Sequence, residues 1–127
     1  MKILIIGSKK EHALESTYSK YLSDVADVDV FPSHDMFLDY FEKNIINKIL
    51  YRLGVSNILS TINIDLLNYI EGKEFDIIWV WKGMEIFPKT LIDFKKTGAK
   101  VVNYNADHPF DFFSKGSGNK NVKNGLR

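Results

Sequence analysis

The chain opens with a run of apolar residues, Ile3 to Ile6, closed by Gly7. An unbroken run of this length is what a strand covered on both faces requires. Ser8 follows, with Glu11 three positions on. That spacing is a capping box and predicts that a helix starts here. Leu14, Tyr18, Tyr21 and Leu22 supply its apolar stripe. From Val25 to Phe31 valine alternates with Ala and Asp, as in a half-exposed strand nearer a sheet edge. Pro32 and Ser33 interrupt the pattern, and Ser33 is placed to cap the next helix. Phe37, Leu38, Phe41, Ile45, Ile46, Ile49, Leu50 and Leu53 then recur at three- and four-residue spacing. This predicts one helical segment ending at Gly54. A second runs from about Ser56 to Tyr69, with Leu59, Ile62, Leu66, Tyr69 and Ile70 on one side.

Phe75 to Trp81, FDIIWVW, has the densest apolar and aromatic content in the chain and predicts a central strand. Pro88 suits the first turn of a short helix in which Leu91 and Phe94 face inward and which Gly98 ends. Lys100 to Tyr104, KVVNY, is the fourth strand. The predicted order is β-α-β-α-α-β-α-β. Alternating strands and helices argue for a parallel sheet wrapped on both faces, with strand order 2-1-3-4. After Phe113 the sequence turns to SKGSGNKNVKNGLR, rich in Gly, Asn and Lys. The expected organisation is therefore a domain over 1–113 and a flexible basic tail, or the start of a linker to a further domain, over 114–127.

Composition narrows the function classes. A chain of 127 residues is one domain's worth, long enough to bury a core without staples. The absence of cysteine excludes a disulfide framework and thiolate chemistry, and is compatible with a reducing cytoplasm. A net charge of +1 implies no strong overall attraction to nucleic acid or acidic membranes. No apolar run approaches the roughly 18 residues of a membrane span. The opening run is too short for a signal peptide. The basic tail (Lys115, Lys120, Lys123, Arg127) lacks interleaved aromatics and reads as a solvated loop.

In open α/β sheets ligands bind beyond the carboxyl ends of the strands, near the switch in strand order. Four segments arrive there: Gly7-Ser8-Lys9, Pro32-Ser33-His34, Lys82-Gly83-Met84-Glu85, and Asn103 to Phe110. At the first, Gly7 permits a tight turn and a helix N-terminus could hold an anion. It carries one glycine and neither the dinucleotide nor the P-loop pattern, so the leading reading is a tight βα turn with a capped helix. At the third, Lys82 followed by Gly83 sets a cation at the sheet's mouth, bracketed by Trp79 and Trp81. It suits a phosphate or sugar hydroxyl, or is a solvated lysine before a turn. In the fourth, NYNADHPF, Asp107 or His108 could act as a general base. Alternatively Asn105 and Asp107 cap a turn and His108 is held extended by the proline after it. His12, His34 and His108 are isolated and no ligand spacing appears, so neither a metal nor a cofactor is expected.

MKILIIGS, a helix containing ESTYS, and FDIIWVWKGMEIFPKTLIDFKKTGAKVVNYNADHPF together resemble the N-terminal part of the CgeB-like (spore maturation protein) glycosyltransferases. The resemblance runs to Phe113 and is most specific over Phe75 to Phe110. It implies a Rossmann-like three-layer α/β/α domain, half of a GT-B fold. In such enzymes a nucleotide-sugar donor binds mainly to a second, C-terminal domain, while the N-terminal domain shapes the acceptor side and often supplies the base. Carried onto this chain, the resemblance implies catalytic Asp107 and His108. Gly7, Ser8, Lys82, Gly83, Asn103 and Asn105 would line the acceptor or donor cleft. The partners implied are a nucleotide-sugar and a hydroxyl acceptor. A single domain of this kind is expected not to transfer sugar alone.

Other readings of the same pattern fare differently. A response-regulator receiver needs an acidic pair after the first strand and an aspartate after the third. Gly7-Ser8 and Lys82 stand there instead. A flavin-binding module is disfavoured by the lack of a Ser/Thr-Gly-rich loop after the first strand. A non-catalytic Rossmann-like module that binds a small ligand or a protein remains the alternative.

Overall fold

The computed structural model describes residues 1–106. Among these, β1 (Lys2–Ile6), β2 (Asp27–Phe31), β3 (Ile77–Trp81) and β4 (Lys100–Tyr104) form one parallel sheet in the order β2-β1-β3-β4. The fold is Rossmann-like α/β, as the alternating pattern predicts. Helices α1 (Leu14–Leu22), α2 (Ser33–Lys43), α3 (Ile45–Arg52), α4 (Ile58–Ile70) and α5 (Pro88–Lys96) complete it.

The period of two along each strand divides the core. Leu4, Ile6, Ile78 and Val80 point to one face, where Ile62, Leu66 and Ile70 of α4 and Phe94 of α5 close over them. Ile3, Ile5 and Trp81 point to the other, against Leu22 of α1. β1 is buried along Ile3 to Ile6 because it lies inside the sheet between two helical layers. β2 and β4 are the edges, and Asp27 and Lys100 face water while Asp29 is half-buried.

Three local expectations are corrected. The capping box at Ser8 does not start a helix. The hydroxyl of Ser8 is engaged by Asp35 of α2, and α1 begins only at Leu14. In α1 only Glu15 is accordingly buried; Leu22 is partly buried, Tyr18 is exposed although its ring meets Trp79, and Leu14 and Tyr21 are exposed. Ser33 is the first residue of α2 rather than its cap. Its hydroxyl is buried without a hydrogen-bond partner. The long helix predicted up to Gly54 is two helices. Asn44 is fully extended (φ −161°, ψ 166°) and its side chain accepts from the N–H of Asn47, ending α2 and capping α3 in one residue. Ile45, Ile46, Ile49 and Leu53, expected to face a core, are exposed as a result.

Candidate functional site

The carboxyl ends of β1 and β3 meet at a pocket of about 370 Å³, lined by Ser8, Lys10, His12, Glu15, His34 and Lys82 among others. It lies beside the switch point of the sheet, since β1 connects to β2 on one side and pairs with β3 on the other. A broader hollow of about 570 Å³ lies at the opposite ends of the strands. There the groups pair with each other: the N–H of Lys2 donates to Asp76 at 2.6 Å, and the Lys2 ammonium stands 3.9 Å from Asp27.

The first wall of the pocket is the β1–α1 loop. The Ser8 hydroxyl donates to Oδ1 of Asp35 at 2.6 Å and accepts from the N–H of Lys10 at 3.1 Å. The N–H of Lys9 donates to Oδ2 of Asp35 at 2.7 Å. The Asp35 carboxylate thus takes up the Ser8 hydroxyl and the Lys9 N–H of this turn. Below it, Gly7 allows Glu15 to fold across the turn. A Cβ on Gly7 would meet Cγ and Oε1 of Glu15 at 2.9 Å and Cβ of Trp81 at 3.2 Å.

The second wall is built at the end of β3. Lys82 (φ 59°) and Gly83 (φ 81°) are successive left-handed residues. For lysine that conformation costs about 1–2 kcal/mol. It is held by the N–H of Lys82 donating to the carbonyl of Tyr104 at 2.8 Å and that of Gly83 to the carbonyl of Trp81 at 2.7 Å. The reversal turns Lys82 into the pocket and brings Glu85 beneath it.

Between the walls stands His34, near the start of α2. Its Nδ1 lies 2.7 Å from Oε1 of Glu85, whose side chain is 2% exposed. With Glu85 ionised, Nδ1–H donates and Nε2, on the opposite side of the ring, is left as the basic nitrogen. The hydrogen bond to Glu85 raises the His34 pKa above its ordinary value. Burial opposes this, the charge of Glu85 adds to it, Lys82 opposes and Glu15 assists. Glu85 is itself fixed from behind. Asn63 of α4 donates to the Glu85 carbonyl at 2.8 Å, and its Oδ1 accepts from the N–H of Phe87 at 2.9 Å and the hydroxyl of Thr90 at 2.7 Å. One buried amide ties the Glu85 loop and the start of α5 to α4.

The sequence-predicted residues divide among these parts. Ser8 and Lys82 line the pocket, while Gly7 does not line it but packs against Glu15 and Trp81, which do. Gly83 and Asn103 fit one another instead: a Cβ on Gly83 would come 2.9 Å from the Asn103 amide nitrogen. Neither Asn103 nor Asn105 lines the pocket, although Ala106 does. Asp107 and His108 lie outside the described residues. His34, Glu85, Glu15, Asp35 and Asn63 are the site residues that the sequence reading does not single out. His34 and Glu85 belong to segments expected at this mouth, but nothing in their spacing pairs them, and Glu15, Asp35 and Asn63 lie on helices outside those segments. Among the described residues no group of His, Asp and Glu is arranged to hold a metal ion, and no helix is long and apolar enough to cross a membrane.

Comparison with known proteins returns no matching family model, no matching curated protein and no matching solved structure.

Proposed function

We propose that this chain is the acceptor-side, Rossmann-like half of a two-domain glycosyltransferase, and that the pocket beside His34 receives the acceptor hydroxyl. The observation that carries the reading is the His34–Glu85 pair at the switch point of the sheet, with Lys82 lining the same pocket. An imidazole oriented by a buried carboxylate is a competent general base. In the proposed step the acceptor oxygen attacks the anomeric carbon of a nucleotide-sugar. Its proton passes to Nε2 of His34, and the bond to the nucleotide phosphate breaks with the electron pair leaving on that phosphate. Lys82 and Glu15 orient acceptor hydroxyls. The engagement of the Lys9 and Lys10 N–H groups by Asp35 and Ser8 supports a hydroxylated ligand here over a bound dinucleotide. The donor is assigned to a second domain, as the resemblance to CgeB-like enzymes implies.

A second reading is a non-catalytic module in which the same pair only fastens α2 to the loop after β3. The Asn63 clamp behind Glu85 favours it, because it makes the pair part of a structural network. Turnover of nucleotide-sugars by the protein carrying both domains separates the two. His34→Ala is expected to lower transfer by about 10²–10⁴-fold, with Asp107→Asn and His108→Ala assayed beside it. Unchanged transfer in His34→Ala removes His34 as the base. Unchanged transfer in all three removes the base assignment altogether.

A further inference from the structure

Helix α3 is capped at both ends, and one side of it is exposed among the described residues. Asn44 caps its start. At its end the N–H of Gly54 donates to the Tyr51 carbonyl at 3.0 Å and that of Val55 to the Leu50 carbonyl at 3.1 Å, with Gly54 left-handed at φ 73°. This is the paired Schellman closure. The inward side rests on α2 through Tyr51, whose ring lies 5.0 Å from Phe37 and 5.7 Å from Phe41, and through Asn47, which donates to the Tyr40 carbonyl.

The outward side is apolar. At about 100° per residue, Ile45, Ile49, Leu53 and Ile46 fall within an arc of about 100°. They are 72%, 50%, 70% and 63% exposed, and Val55 extends the stripe. None of the eight residues of α3 is buried, so the stripe is an exposed ridge along the helix.

Charge decides what such a ridge meets. By helical spacing Lys48 and Arg52 fall along one edge of the stripe, the Lys48 ammonium lying 5.6 Å from the Phe41 ring centroid, and Lys43 precedes the helix. From position 43 to 64 the sequence contains no acidic residue. The net charge of +1 for the whole chain hides this local excess. Two copies paired antiparallel through the ridge about a two-fold axis would set these cations on the same side. A planar anionic surface accepts both the apolar stripe and its basic edge.

We propose that α3 is a membrane-docking element that lies in the headgroup region of an anionic lipid leaflet, with Ile45, Ile46, Ile49 and Leu53 inserted and Lys43, Lys48 and Arg52 at the phosphates. No helix among the described residues is long and apolar enough to span the bilayer. The contact is interfacial and sensitive to salt, and it does not depend on the reading of the pocket.

Vesicle co-sedimentation of the 127-residue chain tests this. Binding is expected to equimolar phosphatidylcholine and phosphatidylglycerol, and not to phosphatidylcholine alone. Ile49→Asp is expected to weaken it by about tenfold or more. Lys48→Gln with Arg52→Gln should weaken it and flatten its salt dependence. These side chains are exposed or half-exposed, and unchanged far-ultraviolet dichroism and tryptophan emission will show that the fold is retained. Ile45→Ser serves as a milder second variant. Three results would each overturn the proposal: no binding to anionic vesicles, equal binding to both compositions, or binding indifferent to Ile49→Asp and Ile45→Ser. A dimer in solution that Ile49→Asp dissociates, without vesicle binding, would assign the ridge to a second copy instead.

Discussion

Nδ1 of His34 and Oε1 of Glu85 are 2.7 Å apart across 51 positions of sequence, joining the start of α2 to the loop that follows β3. Everything around the pair holds it in place: Asp35 and Ser8 fix the adjoining first turn, and Asn63 fixes the Glu85 loop from the other side.

The pair predicts a titration. Its hydrogen bond raises the His34 pKa above the ordinary value of 6.5. A raised folded-state pKa means that the contribution to stability is full below about 6.5 and is lost as pH rises through the folded value. A proton-resolved titration of His34 should therefore give a value above 6.5. In Glu85→Gln it should fall, because burial and Lys82 then act against the charge with only Glu15 assisting. An unchanged titration in Glu85→Gln would show that the two groups are not coupled.

Asn63 should matter beyond its size. Asn63→Ala deprives the Glu85 carbonyl, the Phe87 N–H and the Thr90 hydroxyl of a buried partner. A loss of about 2–4 kcal/mol is expected from denaturant unfolding. The His34 titration should shift in the same variant, because Glu85 is no longer held. A stability loss with an unmoved His34 would confine the clamp to packing.

Gly83 combines two constraints. Its φ of 81° disfavours any Cβ, and a Cβ there would approach the Asn103 amide at 2.9 Å. Gly83→Ala should cost about 1–2 kcal/mol. Adding Asn103→Ala relieves the approach and leaves the backbone strain, so it should recover only part of the loss. Full recovery would mean that crowding alone excludes a side chain.

The parts of this structure that were legible in the sequence are those where one face of one element decides. β4 occupies the predicted KVVNY, and FDIIWVW supplies an interior strand, because apolar density and a fully covered strand are the same fact seen twice. Pro88 and Gly98 bracket α5 as local backbone chemistry requires. The failures lie where a distant group overrides a local pattern. Ser8 and Glu11 spell a capping box, but Asp35, 27 positions away, takes the Ser8 hydroxyl. Asn44 breaks a run whose apolar spacing is continuous, and its only local mark is an asparagine with a cap-like position. His34 and Glu85 stand in two of the segments expected at the strand ends, but nothing in the sequence pairs them, and only the order β2-β1-β3 brings them together.

The order of the strands also bears on how the molecule assembles. β1 pairs with β2 after one short helix, but its pairing with β3 joins positions as far apart as Lys2 and Asp76, which are 74 residues from one another. Closing so long a loop costs entropy before any contact repays it. The β1–β2 ladder should therefore gain amide protection ahead of β1–β3 in a refolding pulse experiment. The pocket draws on both, so a chain that has not completed its sheet has no pocket, and ligand binding there reports a finished fold.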